Sequence, residues 1–229
     1  MTLKEYIEKS KKNNNVDVNI ITTFNEVLCL YEYGSNVYGY KTNSSDNDYI
    51  MILTDDAGID KENIKIGKTD LNIYSDSKWA ELCNQSKIPC IECYSLRFGQ
   101  YKKHILKENK GYIININVVS IRKSVSSVVS NAWSKAHKKL TVSEDYSPYI
   151  GKKSLWHCIR ILLFGIDIHK HGYITDFSLG KEYYPDIVLN ENNNWEDYKK
   201  KYKPILNALQ TQFRKYSESE WIIYKNNNI

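Results

Sequence analysis

Short apolar runs separated by polar segments occupy the first third of the chain, and three of these runs predict β-strands. The runs cover residues 27–33, 49–53 and 71–74, and they are rich in the aliphatic and aromatic residues that favour strands. Ahead of them, Thr2 and Glu5 have the spacing of a capping box, which predicts a helix over residues 3–12. One helix and three strands in so short a stretch indicate a small α+β unit.

The second half of the chain has helical spacing instead. Residues 121–140 contain neither Gly nor Pro and place apolar side chains three and four positions apart, and residues 152–171 repeat this pattern up to Gly172. Trp195–Tyr216 is a further helical candidate, which Pro204 could interrupt. The change of pattern predicts two domains, residues 1–110 and residues 111–229, of which the second is helical.

Composition and charge narrow the class of protein only slightly. The 229 residues are 41% hydrophobic and 26% charged, as in ordinary globular proteins, and the formal net charge of +5 is compatible with a nucleotide or RNA partner without requiring one. No apolar run is long enough to cross a bilayer, and the first residues lack the apolar segment of a signal peptide. We therefore expect a cytoplasmic protein with no membrane association, whose five cysteines are reduced thiols.

A glycine-containing turn follows the first predicted strand. Gly34 and Ser35 come directly after Tyr33, and a second glycine, Gly39, lies shortly beyond them. Glycine lets a backbone approach a ligand closely and adopt positive φ values. Such a turn can aim N–H groups and the Ser35 hydroxyl at phosphate oxygens. It predicts a phosphate-binding element made of Gly34 and Ser35.

Two aspartates, Asp46 and Asp48, stand at the start of the second predicted strand. Side chains two residues apart in a strand point to the same face, so these carboxylates would lie side by side and repel each other unless a cation neutralised them. Mg²⁺ suits that position because it prefers oxygen ligands and is commonly held by carboxylates together with phosphate. Two such ions can clamp the attacking and leaving oxygens of a phosphoryl displacement.

The combined motif resembles the signature of a known superfamily. Gly34 and Ser35, ten residues, and then Asp46-x-Asp48 are similar to the pattern of the DNA polymerase beta-like nucleotidyltransferases, and the wider stretch looks like its small minimal and RNA-repair-associated predicted members. The resemblance covers about residues 27–75, with weaker echoes in residues 88–93 and 152–176. It implies a palm-like small mixed sheet with helices, followed by a helical domain that closes the active-site cleft.

The resemblance also implies an enzyme, its metal ions and a third acidic residue. Such proteins move a nucleoside monophosphate from an NTP to an acceptor hydroxyl and release pyrophosphate with two metal ions, Mg²⁺ or alternatively Mn²⁺. Asp70, at the start of the third strand, fits the position of the third catalytic and metal-binding carboxylate, and Asp76 is its rival. One departure is Asn36, which stands where the family often has a basic residue.

Candidates for further nucleotide contacts lie in the helical half. Lys153, His157 and Arg160 fall at i, i+4 and i+7 of one predicted helix, so they would share a face. That face is either a cationic wall for the triphosphate or an ordinary solvated or interdomain polar surface. We select Lys153 and Arg160 as nucleotide-binding candidates, since the planar guanidinium suits phosphate.

Several acceptors and one different class of function remain open at this point. ATP is the favoured donor, and RNA is the first choice of acceptor because basic segments occur in the helical half. A protein hydroxyl, as in AMP-transferring toxin or antitoxin components, is the second choice, and a small molecule is the third. A nucleotide-binding module without catalysis is the alternative to an enzyme. The oligomeric state is left open.

Overall fold

The computed structural model describes residues 1–43, 45–114 and 116–216. The chain divides into two compact units, Met1–Asn115 and Ile116–Ile229. The boundary predicted from the sequence, after residue 110, lies slightly earlier. The first unit contains the sheet, and the second is helical in its described part.

A five-stranded mixed sheet forms the centre of the first unit. Its spatial order is β3-β4-β2-β1-β5, in which β2 and β4 run parallel and the other neighbouring pairs are antiparallel. The strands are β1 (Val27–Tyr33), β2 (Asn47–Leu53), β3 (Lys61–Ile66), β4 (Thr69–Ser75) and β5 (Ile105–Glu108). The helices of this unit are α1 (Leu3–Asn13), α2 (Val18–Ile21), α3 (Ser35–Tyr38), α4 (Asp76–Asn84) and α5 (Ile88–Ser95). The expected α+β class with a small mixed sheet, followed by a helical region, is confirmed.

The first helix begins as its capping box predicts. The Glu5 N–H donates to Thr2 Oγ1 at 3.2 Å, and the Thr2 N–H donates back to Glu5 Oε2 at 2.9 Å. Two N–H groups that would otherwise lack a partner at the start of α1 are thereby satisfied. Leu3, Tyr6 and Ile7 are then buried in the apolar core on one face of the sheet.

Successive side chains of each strand point to opposite faces of the sheet, and the face opposite the apolar core is more polar. Leu71 and Ile73 of β4 belong to the core that includes α1, so Asp70 and Asn72 point to the opposite face. On this opposite face, α4 contacts β2 and β4, and the rings of Tyr74 and Trp79 lie 5.1 Å apart. Burial on this face therefore decreases from Tyr74 toward Asp70, and the least covered end carries the acidic residues.

Strand β3 is an element that the sequence analysis missed. It forms a hairpin with β4, in which Ile66 pairs with Thr69 across a two-residue turn of Gly67 and Lys68. Gly67 has φ of +58°, and a Cβ there would lie 2.6 Å from the carbonyl oxygen of Asn14. Glycine is therefore needed at this turn both for its backbone conformation and for the close approach of α1.

Three long helices dominate the described part of the second unit: α6 (Val118–Thr141), α7 (Pro148–His171) and α8 (Trp195–Tyr216). Helix α7 packs against both α6 and α8, and most of its residues between Gly151 and Ile168 are buried. Arg160, which the sequence analysis placed on a polar face of this helix, is only 4% exposed. Pro204 lies inside α8 without ending it. No helix in residues 1–43, 45–114 and 116–216 combines the length and apolar character needed to cross a membrane.

Candidate active site

The turn after β1 has a backbone conformation that is open essentially to glycine alone. Gly34 has φ of +69° and ψ of −144°, and the helical turn of α3 starts at the next residue, Ser35. The Gly34 carbonyl accepts the N–H groups of Val37 and Tyr38, each at 3.1 Å. The N–H groups at the start of a helical turn have no acceptor within that turn, so they are available to a ligand. Gly34 and Ser35 thus have the local geometry expected of a phosphate-binding turn.

A buried carboxylate, that of Glu92 in α5, holds both ends of this turn. Glu92 is 1% exposed, and the Tyr38 hydroxyl donates to its Oε1 atom at 2.8 Å. The hydroxyl of Tyr33, the last residue of β1, donates to the other carboxylate oxygen. Burial, reinforced by the nearby charge of Glu92, raises the pKa of Tyr33 well above its ordinary value, so this hydroxyl stays a donor. Tyr33 and Tyr38 are therefore fixed to the same interior group on either side of Gly34.

Asp48 and Asp70 are direct neighbours on parallel strands. They are register partners between β2 and β4, so their side chains share the more polar face of the sheet. The Asp48 carboxylate also lies against the turn, since a Cβ built on Gly34 would be 2.1 Å from Asp48 Oδ2. The turn at Gly34 and these two aspartates are consequently adjacent.

Asp46 is joined to this group through a lysine from β3. The Lys65 ammonium lies 2.6 Å from Asp46 Oδ2, and Lys65 is the register partner of Asp70. The hydrogen bond and charge of Asp46, followed by the charges of Asp70 and Asp48, raise the pKa of Lys65. All three aspartates therefore act electrostatically on a single ammonium group.

Asn63, also on β3, orients the third carboxylate. Its Nδ2 atom donates to Asp70 Oδ1 at 2.6 Å and to Asn72 Oδ1 at 3.1 Å. The rival residue, Asp76, begins α4 beyond the far end of β4, where it pairs with Lys110 at 2.6 Å and accepts from Tyr112 at 2.8 Å. The structure thus brings Asp70, and not Asp76, next to Asp48.

Sequence reasoning did not single out Lys65 or Asn63, although a weak signal for both was present. The segment of β3 alternates polar and apolar residues, with Ile64 and Ile66 directed to the core. A glycine directly after it is typical of a tight hairpin turn. An alternating strand next to Asp70 would have directed its polar residues toward the same face as the aspartates.

Asp46, Asp48 and Asp70 are the residues that could hold a divalent cation. In this structure, however, the cation beside Asp46 is the Lys65 ammonium. Carboxylate oxygens are the ligands that Mg²⁺ prefers, and the three aspartates provide them on one surface. In the part of the chain that the structure describes, no three acidic, histidine or cysteine side chains are arranged to hold a metal ion as they stand. Lys65 and Asn63 each engage one of the carboxylates, so metal binding would require these contacts to rearrange.

Comparison with known proteins finds distant similarity among solved structures. No protein-family model matches the chain, and no curated protein matches it. Among solved structures, the chain is similar to a nucleotidyltransferase-like protein from Exiguobacterium sibiricum 255-15. The two are 8% identical, the match covers 91% of this chain and 75% of the other, and the TM-score is 0.32. At these values the similarity carries no conclusion about the family, substrate or activity of this chain.

Arg160 of the second unit is enclosed by neighbours from its own helix. Its guanidinium lies over the rings of Trp156, at 4.9 Å, and Phe164, at 5.4 Å, and its Nη2 atom is 2.8 Å from His157 Nδ1. Burial, then the charges of Arg160 and Lys135, hold the pKa of His157 well below its ordinary value, so the ring is neutral and accepts from Arg160. This arrangement favours a structural role for Arg160 within the unit, and its contact with nucleotide stays a prediction.

Lys153 is placed differently from Arg160. Its side chain is exposed, and its ammonium lies 5.4 Å from the centroid of the Tyr149 ring. An exposed lysine can reach a ligand without losing buried contacts. Its assignment to the nucleotide is likewise still a prediction.

Proposed function

We propose that the chain is a metal-dependent nucleotidyltransferase, which moves a nucleoside monophosphate from an NTP, with ATP favoured, to an acceptor hydroxyl and releases pyrophosphate. One observation carries this proposal. Asp48 and Asp70 are register partners, and the Asp48 carboxylate lies against the backbone of Gly34. The carboxylate oxygens of Asp48 and Asp70, which could bind cations, therefore lie next to the turn that we propose to bind phosphate.

Each residue of the site has a distinct task in this proposal. Gly34 and Ser35 bind the β- and γ-phosphates through N–H groups and the serine hydroxyl. Two Mg²⁺ or Mn²⁺ ions, held by Asp46, Asp48 and Asp70, would neutralise charge on the attacking and leaving oxygens. Asp70, oriented by Asn63, accepts the proton of the acceptor hydroxyl. The acceptor oxygen then forms a bond to the α-phosphorus, and the bond to the bridging oxygen breaks as pyrophosphate leaves.

Positioning and charge neutralisation supply the catalytic effect in this proposal, because no covalent intermediate with the protein is involved. The buried Glu92 contributes to positioning, since it holds Tyr33 and Tyr38 on either side of the turn. Small displacements of such groups reduce rates strongly.

RNA is the acceptor that we propose first. The net charge of +5 and the exposed lysines of α6, such as Lys135 and Lys138, suit a polyanion. A protein hydroxyl is the second choice. One observation favours a nucleotide-binding module without catalysis. Lys65 contacts Asp46, the carboxylate to which the proposed mechanism assigns a metal ion.

Label transfer distinguishes these possibilities. The full chain is incubated with each α-³²P-labelled NTP, Mg²⁺ or Mn²⁺, and total cellular RNA and protein, and the labelled fraction is identified. We expect label from ATP in RNA, and none with the Asp46→Ala/Asp48→Ala variant. Label in the protein fraction would indicate that the acceptor is a protein hydroxyl. Binding of NTP without label transfer would favour the non-catalytic module, and transfer by the double variant would refute the mechanism.

A further inference from the structure

One of the three aspartates, Asp46, already pairs with a cation that belongs to the chain, the Lys65 ammonium. We propose that Lys65 competes with divalent ions for these carboxylates and, once displaced, binds the triphosphate. This inference rests on the proposed function and names a residue that the motif does not contain. It assigns Lys65 two successive partners, first Asp46 and then phosphate.

Electrostatic repulsion explains why the Lys65 ammonium and a metal ion cannot both bind the same oxygen of Asp46. Lys65 Nζ is 2.6 Å from Asp46 Oδ2, which is a direct contact, and the charges of Asp70 and Asp48 also act on it. A divalent ion bound to the same carboxylate oxygen would lie within a few ångströms of the ammonium. Like charges at that distance repel strongly. An ion that binds Asp46 must therefore displace Lys65.

Displacement of Lys65 is physically easy. Its side chain is 55% exposed, and the Asp46 side chain is 40% exposed, so their pairing is a surface contact of small net strength. Strand β3 lies at the edge of the sheet. The flexible lysine side chain can thus rotate away without breaking buried packing.

The nearby turn explains where the displaced ammonium would bind. Asn36, next to Ser35 in the turn, is uncharged, so the turn has no cation at that position. Lys65 lies on the same face as Asp48, whose carboxylate touches Gly34. A triphosphate bound at Gly34 would bring its negative oxygens close to Lys65 as the metal ion takes over Asp46.

The chain offers a matched control in Lys61. It lies on the same strand and face as Lys65, but it pairs with Tyr74 and its ammonium is 5.8 Å from that ring centroid. Four residues of strand separate the two lysines by about 13 Å. This exceeds the screening length of about 8 Å at physiological salt, so Lys61→Met removes the same charge without acting directly on the aspartates.

The experiment measures Mn²⁺ binding to the full chain without nucleotide, by the loss of the free-ion electron paramagnetic resonance signal. We expect Lys65→Met to bind Mn²⁺ about two- to fivefold more tightly than wild type, Lys65→Arg to match wild type, and Lys61→Met to stay close to wild type. With Mn²⁺ saturating, Lys65→Met should bind ATP several-fold more weakly. Unchanged or weaker Mn²⁺ binding by Lys65→Met, or equal tightening by Lys61→Met, overturns the competition. Unchanged ATP affinity overturns the phosphate contact.

The binding experiment and the label-transfer experiment can fail independently, so a failure of this inference can be distinguished from a failure of the proposed function. If Lys65→Met tightens Mn²⁺ binding while no labelled product forms, the inference stands and the transferase proposal fails. If label is transferred and the Lys65→Met and wild-type proteins bind Mn²⁺ equally, the transferase stands and the inference fails. If none of the proteins binds Mn²⁺, both fail.

Discussion

The carboxylate of Asp48 lies in the space that a side chain at Gly34 would occupy. A Cβ at Gly34 would be 2.1 Å from Asp48 Oδ2 and 3.1 Å from Asp48 Cβ, and Gly34 has φ of +69°. The first distance is far below van der Waals contact, so any larger residue must displace Asp48. The turn and the aspartate are therefore mutually dependent, although fourteen positions separate them in sequence (48 minus 34).

Gly34→Ala should disrupt the site more than a matched glycine substitution. It introduces the clash with Asp48 and a backbone conformation that costs about 1–3 kcal/mol for other residues. We expect lower stability in denaturant unfolding and a fall in label transfer of about a hundredfold or more, because the carboxylate moves.

Gly39→Ala is the control for that substitution. Gly39 also has a positive φ, of +76°, but a Cβ there would meet no atom within 4 Å among the described residues. It should lose about 1–2 kcal/mol of stability from backbone strain and keep most of its transfer activity. Equal transfer rates in the Gly34 and Gly39 variants would contradict the close contact with Asp48.

Tyr38→Phe should loosen the phosphate-binding turn. It removes a hydroxyl that donates to the buried Glu92 at 2.8 Å, leaving a carboxylate oxygen with one donor fewer. We expect a loss of about 1–3 kcal/mol in unfolding free energy and a raised KM for ATP. Tyr6→Phe is the comparison on the other side of the sheet, since it loses the 3.1 Å bond to the Asp17 carbonyl and the 2.9 Å bond from the Asp17 N–H. A KM that rises equally in both variants would show a general loss of stability rather than an effect on the turn.

Asp70→Asn should reduce transfer activity, whereas Asp76→Asn should reduce stability. Asp70 adjoins Asp48, so its replacement should lower transfer by about 10²–10⁴-fold, the usual contribution of a positioned proton acceptor, with little change in unfolding. Asp76 bonds only to Lys110 and Tyr112 in the contacts described above, so its replacement should cost about 1 kcal/mol and preserve transfer. Reversed effects in the transfer assay would make Asp76 the third catalytic carboxylate.

His157 should make the second unit less stable in mild acid. Its folded pKa is depressed by burial and by the Arg160 charge, so the unfolded chain takes up a proton first as the pH falls below about 6.5. The contribution of His157 to stability is therefore present above pH 6.5 and declines below it, by at most about 1.4 kcal/mol per pH unit. Unfolding in denaturant between pH 7 and pH 5 measures this slope.

Two substitutions check the origin of the acid effect. His157→Gln should reduce the slope, and His169→Gln should reduce it as well, because burial lowers the pKa of His169 to about 4. A slope that neither substitution reduces would assign the acid sensitivity to another group.

Local patterns predicted the long helices and the strands β1, β2 and β4, because such elements depend on neighbours in sequence. The limits of β1 and α8 were predicted correctly, as was the capping box at Thr2 and Glu5. Strand β3 was missed because it is short and carries three charged residues, so its alternation is weak. That omission also hid Lys65, whose contact with Asp46 spans nineteen positions.

Contacts over longer separations could not be inferred from spacing. Glu92 and Tyr38 are fifty-four positions apart, and only the packing of α5 beside the turn brings them together. Spacing along α7 also did not show that the residues of its predicted polar face differ in burial, since Lys153 is exposed whereas Arg160 is buried. Arg160 is accommodated there by aromatic rings and by the neutral His157.

Release of pyrophosphate from ATP tests the central claim most directly. The full chain is supplied with ATP, Mg²⁺ and total cellular RNA, and pyrophosphate is measured for wild type and for Asp48→Asn, which keeps the shape of the side chain beside Gly34. We predict release by wild type that requires both Mg²⁺ and RNA, and a loss of about a hundredfold or more in the variant. Equal release by the two proteins would contradict the account.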